Sequence, residues 1–180
     1  MKIKNAIGIL LMFALLLQAG RARAQDIFSA ARENDTLRLT YFLQTRVKID
    51  TADGRGSTPL IIAVYNNNEA AVDLLLKCGA DPNAADLSGN TALMGACYKG
   101  YFPMVRKLLE HKARVDQLNL NQAPALIFAA TFGHTEIVRL LINYKARLDL
   151  RDRFGKTALD HAAGQENDDI VELLRASSKP

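Results

Sequence analysis

The chain has 180 residues and a formal net charge of +4, from 23 lysines and arginines and 19 aspartates and glutamates. Its first 24 residues hold Lys2, Lys4, Arg21 and Arg23 and no acid, so basic and acidic side chains balance at 19 each in the remainder. The basic excess therefore gives no ground for a nucleic-acid partner, and the remainder is long enough for one domain with a continuous core.

The first segment reads as an export signal. Lys2 and Lys4 precede an apolar run from Ile7 to Leu17, and Ala22-Arg23-Ala24 offers a small-x-small cleavage site before Gln25. The run is too short to span a bilayer, which favours a cleaved signal peptide (1–24) over an anchor. No cysteine follows it to carry a lipid. The expected product starts at Gln25, is exported (periplasmic, with secretion as the alternative), and has no membrane attachment after cleavage.

From residue 25 to 180 the chain falls into register on a ruler of 33 residues. Asp53, Asp86, Asn119 and Asp152 form one column; Gly56, Gly89, Gln122 and Gly155 form the next. Ala63, Ala96, Ala129 and Ala162 form another, as do Val72, Val105, Val138 and Val171, and Leu75, Leu108, Leu141 and Leu174. A strict period of this length predicts a solenoid whose units bury one face on their neighbours.

Residues 25–50 predict a capping pair of helices, with Asn34-Asp35 as the turn. The repeats then run over about 51–83, 84–116, 117–149 and 150–180. In the first of these, helices are predicted at Pro59–Tyr65 and Glu69–Lys77. Thr58 is the N-cap, Pro59 follows at the first helical position, and Gly79 ends the second helix at positive φ. In the next, Phe102-Pro103 opens the second helix, again with proline at the first helical position. The third departs most from the pattern, because Asn119, Gln122 and Pro124 replace the aspartate, glycine and threonine of its neighbours. Its helices are still predicted at Ala125–Thr131 and Thr135–Asn143, with Thr135 as N-cap. Arg46, Lys112 and Lys145 stand in the Gly79 column, where positive φ disfavours a side chain. Arg175 replaces the aliphatic column of Leu76, Leu109 and Ile142, as a soluble terminal repeat requires.

The segments Asp53-Gly-Arg-Gly-Ser-Thr-Pro-Leu60, Leu74-Leu-Leu-Lys-Cys-Gly-Ala-Asp-Pro-Asn83, Thr91-Ala-Leu93, Gly133-His-Thr-Glu-Ile-Val138 and Thr157-Ala-Leu159 resemble the ankyrin repeat family. The resemblance covers nearly the whole chain after residue 25. It implies an all-α, ankyrin-type solenoid of helix-turn-helix repeats with short hairpin connections. It also implies a non-enzymatic protein-protein interaction module, with His134 packed between neighbouring turns.

No chemistry is convergent in the sequence. Asp160 and His161 are adjacent, so on a helix they point about 100° apart and form no relay. His111 has no ligand-spaced companions, and no phosphate loop or nucleophile elbow is present. No cofactor, metal or catalytic residue is expected. Cys78 and Cys97 are expected to be small buried thiols, because their placement on successive helices exceeds the ~7 Å reach of a disulfide.

In arrays of the resembled family, partners meet the hairpin tips and the exposed ends of the first helices, which line the concave side. Those positions hold the candidate binding residues Arg55, Tyr65, Asn66, Leu87, Tyr98, Lys99, Leu120, Phe132, Arg153, Phe154 and Lys156, four of them basic and none acidic. Tyr65 and Tyr98 share one column, with Phe132 one residue on, and aligned exposed aromatics are costly unless used. The expected partner is a protein of unknown identity, bound by a monomer. The alternatives are a protective or inhibitory subunit of a periplasmic enzyme, and a small-ligand binder or enzyme subunit.

Overall fold

The 33-residue period becomes one helix pair per repeat. The computed structural model describes residues 27–45 and 47–178; the expected signal peptide, its cleavage site and Arg46 lie outside the described residues. The capping pair is α1 (27–32) and α2 (Thr36–Gln44). The following pairs are α3 (Pro59–Tyr65) with α4 (Glu69–Lys77), and α5 (Ala92–Lys99) with α6 (Phe102–Glu110). Next come α7 (Ala125–Thr131) with α8 (Thr135–Asn143), and α9 (Ala158–Gly164) with α10 (Asp168–Ser177).

The helices stack in two rows. Helices α3, α5, α7 and α9 pack one against the next as an inner row, and α2, α4, α6, α8 and α10 form the outer row behind them. Fully buried alanines at 63, 96, 129 and 162 let the inner helices approach closely. Val72, Val105, Val138 and Leu75, Leu108, Leu141 seal the two rows with no exposed surface. Arg175 is exposed at the end of the stack, where Leu76 and Leu109 of inner repeats are buried.

Short connections force positive φ at fixed positions. Gly79 ends α4 at φ +87°, and Lys112 and Lys145 hold the same place at +66° and +64°, as the column predicts. A second such column turns each inner helix into its outer partner: Asn34, Asn67, Gly100, Gly133 and Glu166. That tight turn corrects one expectation. The N-cap of α8 is His134, and Thr135 is already helical. Pro103 is likewise the second residue of α6, behind Phe102.

The N-cap residues of the outer helices serve the seam between repeats. Asn68 donates its amide to the carbonyls of Ala31 and Arg32 at 2.8 Å, and Asn167 donates to the carbonyl of Ala130 at 3.0 Å. These are carbonyls of the neighbouring repeat's inner helix, near its C-terminal end where intrahelical donors run out. A lower seam repeats the idea, with Asp50, Asn83 and Asp116 accepting the backbone N–H of Asp81, Arg114 and Arg147.

The cysteines are both free, and only Cys97 is buried. Cys78 is exposed, against expectation, because it is the C-cap of α4 and faces outward. Burial pushes the Cys97 thiol far above its ordinary pKa, so it remains protonated and inert.

Candidate protein-binding surface

The hairpins that precede the inner helices share one construction. Oδ1 of Asp53 accepts the backbone N–H of Arg55 and Ser57, at 2.8 and 2.9 Å. Asp86, Asn119 and Asp152 do the same for residues two and four places on. Each hairpin then bonds the previous one: Leu87 N–H to Arg55 O, Leu120 N–H to Ser88 O, and Arg153 N–H to Asn121 O. Gly56 and Gly89 sit under these bonds, where a Cβ would come 2.7 Å from Leu87 N and 2.9 Å from Leu120 N. The result is a continuous ridge of hairpin tips.

That ridge presents apolar side chains to solvent. Leu87, Leu120 and Phe154 are 72%, 75% and 71% exposed. The Arg153 guanidinium lies over the Phe154 ring, 4.6 Å from its centroid. Arg55, Asn66, Lys99 and Lys156 are also exposed on this face. Lys99, Arg153 and Lys156 have no carboxylate within 4 Å among the described residues, whereas Lys107 on the outer row is held 2.6 Å from Asp73.

The aromatic column is more integrated than the sequence predicts. Tyr98 stands edge-on to Phe132 with ring centroids 4.7 Å apart, and Lys99 Nζ lies 5.6 Å from the Tyr98 centroid. Tyr65 is half-buried, its ring seated against Gly95, where a Cβ would stand 2.7 Å from Cε2. Burial, then the Asp86 charge, push the Tyr65 hydroxyl above its ordinary pKa. Tyr65 therefore packs a seam as well as lining the surface beside the hairpins.

Two depressions open beside this column. One of about 640 Å³ is lined by Arg32, Arg55, Ile61, Ile62, Tyr65 and Leu87, among others. One of about 170 Å³ is lined by Tyr65, Asn90, Met94, Tyr98 and Phe128. Arg32, Ile61, Ile62, Met94 and Phe128 are contributors that sequence reasoning missed. The period held a signal for Arg32, which stands one repeat before Tyr65.

Two histidines have partners of their own. His134 lies against Gly100 with Nε2 3.4 Å from Tyr98 O, which ties adjacent repeats together. His161 Nε2 meets Asp152 Oδ2 at 2.8 Å, so its acid partner is nine residues upstream. Asp160 instead closes a capping box on Thr157. Among the described residues no group of three His, Cys, Asp or Glu side chains is placed to hold a metal ion. None of the helices there is long and apolar enough to cross a membrane.

These features define a helical repeat solenoid with a ridge of hairpins and, beside it, a face that exposes apolar and basic side chains. The family model for ankyrin repeats (three copies) matches residues 27–119 and 113–179, so the chain belongs to the ankyrin repeat family. Such repeats are generally protein-protein interaction modules. No curated protein matches the chain.

Proposed function

We propose that this protein is a non-enzymatic module of an exported compartment that docks a partner protein on its concave face. The observation that carries the reading is the joint exposure of Leu87, Tyr98, Leu120, Phe132 and Phe154 along one face. These aromatic and aliphatic side chains supply contact area in three successive repeats, and Lys99, Arg153 and Lys156 flank them with charges not spent on local ion pairs. Export rests on the charged, apolar and small residues of 2–24, and a periplasmic location fits that pattern. Intact mass of protein from the exported fraction should show a chain starting at Gln25; a full-length cytoplasmic product would refute export.

The docking reading is tested with a partner crosslinked from that fraction and then purified. Tyr98→Ala should weaken its binding by about 2 kcal/mol, as for a central anchor. The same change costs the fold about 1 kcal/mol through the lost Phe132 contact, so binding is compared under conditions where both proteins are folded. Lys99→Glu with Arg153→Glu should slow association, with the effect fading at high salt. Folded variants that bind like the parent would move the interface off the concave face.

A further inference from the structure

The two depressions are unlike in chemistry and adjacent in space. The larger has an apolar floor of Ile61 and Ile62, a wall of Leu87, and the cations Arg32 and Arg55. Arg55 reaches Asp53 only at 3.9 Å, and its side chain is 81% exposed. Asp86 also lines this groove and sets one negative charge against the two cations; its Oδ1 accepts the N–H of Ser88 and Asn90 at 2.8 Å each. The smaller depression is aromatic and sulfur-lined, between Tyr65, Met94, Tyr98 and Phe128. Tyr65 lines both. Asn90 stands at the smaller one with its Oδ1 taken by Asn119, and its amide N–H groups have no acceptor among the described residues.

We infer that the concave face takes an extended peptide segment bearing a carboxylate and, about three residues away, an apolar or aromatic side chain. The carboxylate sits between Arg32 and Arg55, and the apolar side chain between Tyr65 and Tyr98. The spacing follows from geometry: packed helices lie 8–10 Å apart, and an extended chain advances about 3.3 Å per residue. The two arginines that line the larger groove select a carboxylate by charge and fork geometry, the Tyr98 cleft selects contact area, and the Asn90 amide meets a peptide carbonyl. This specifies the partner chemistry of the docking reading above and rests on it.

The test is a random heptapeptide display library selected on the purified protein, followed by titration of the enriched sequences as synthetic peptides. Enriched peptides should carry Asp or Glu two to four residues from Phe, Tyr, Leu or Met. Changing that acid to its amide should weaken binding at least tenfold in the parent. It should matter little in the double variant Arg32→Ala, Arg55→Ala, whose fold is checked by chemical unfolding. Gly95→Ala, which drives a methyl into the Tyr65 ring, should weaken the apolar end while the acid dependence persists. Three outcomes overturn the inference: no enrichment, acid-to-amide changes worth less than twofold, or displacement of the peptides by a single-stranded oligonucleotide. If Tyr98→Ala still weakens the purified protein partner in that event, the docking reading stands and only its specificity falls.

Discussion

The hairpins that open the third and fourth full repeats have the same backbone and different side chains. In the last, Asp152 accepts two amides, Gly155 turns at φ +75°, and Thr157 caps α9. In the one before, Asn119 accepts two amides, Gln122 turns at φ +58°, and Pro124 stands at the N-cap of α7 with no side-chain cap bond. Both hairpins still stack on the ridge through Leu120 and Arg153. The hairpin shape is therefore set by one acceptor with two lone pairs and by the neighbouring hairpin. The glycine and threonine optimise it without being required.

Removing that acceptor should have the largest effect. Asp152→Ala deprives the amides of Phe154 and Lys156 of their partner and leaves His161 without its carboxylate. The expected loss is about 2–3 kcal/mol, because charge-assisted bonds are the stronger kind. Asn119→Ala frees two amides and the Asn90 contact, all neutral, and should cost about 1–2 kcal/mol. Urea unfolding of the two variants checks the order; equal losses would mean that the charge contributes nothing.

Acid should separate the two hairpins next. Burial pushes the Asp152 carboxyl upward, but the hydrogen bond from His161, the amides of Lys156 and Phe154, and the His161 charge together hold it below the usual carboxylate range. A pKa depressed in the folded state contributes stability that is present above the unfolded value and is lost as pH falls through the folded one. Arg151 and Asp160, 3.8 Å apart, form another charged pair in the same repeat. Amide NMR shifts of Phe154 and Lys156 should therefore titrate with a midpoint below about 4, while those of Asn121 and Ala123 stay still. Movement of all four together would point to global acid unfolding.

The comparison also shows what a sequence carries. Columns of alanine, valine and leucine give the helix pairs and their stacking, because burial repeats with the period. Positive φ at Lys112 and Lys145 follows from the Gly79 column. The Asp152–His161 contact is illegible in the sequence because the hairpin folds back over nine residues, while Asp160 is the acid adjacent to His161. A capping rule sees residue type and selects Thr135, whereas the turn at Gly133 fixes where the helix begins, with His134 at the N-cap. Tyr65 resembled a free binding aromatic, yet its environment depends on Gly95, one repeat on and of no evident significance in the sequence. Side chains facing neighbouring repeats are readable in principle, but only once the period is used to ask what lies 33 residues away.

Turn chemistry offers smaller differences. Gln122→Gly should stabilise the chain by up to about 1 kcal/mol, since glycine has no Cβ to oppose φ +58°. Greater freedom of glycine in the unfolded chain offsets part of this. Gly155→Gln is the mirror test and should destabilise by a similar amount. If both changes leave the unfolding midpoint alone, the ridge bonds already determine these turns.

Pro124→Thr should have the smallest effect, because two contributions oppose. Thr58, Thr91 and Thr157 each accept the N–H three residues on, at 3.3, 3.3 and 3.2 Å, and such a cap contributes about 1 kcal/mol. Pro124 lacks that acceptor, but its ring restricts the unfolded chain, which contributes about 0.4–1 kcal/mol that threonine gives up. Its φ of −80° and ψ of 170° match the −78° and 163° of Thr58, so threonine fits the site without strain. The net gain should be about 0.5 kcal/mol or less, close to the resolution of an unfolding curve. A local readout is sharper: the Ile127 amide now meets Pro124 O at 3.1 Å, and a threonine hydroxyl would give it a second acceptor. Hydrogen exchange at Ile127 should slow relative to Ala129 in the variant. Faster exchange there would show that proline's rigidity, rather than a missing cap, determines how α7 begins.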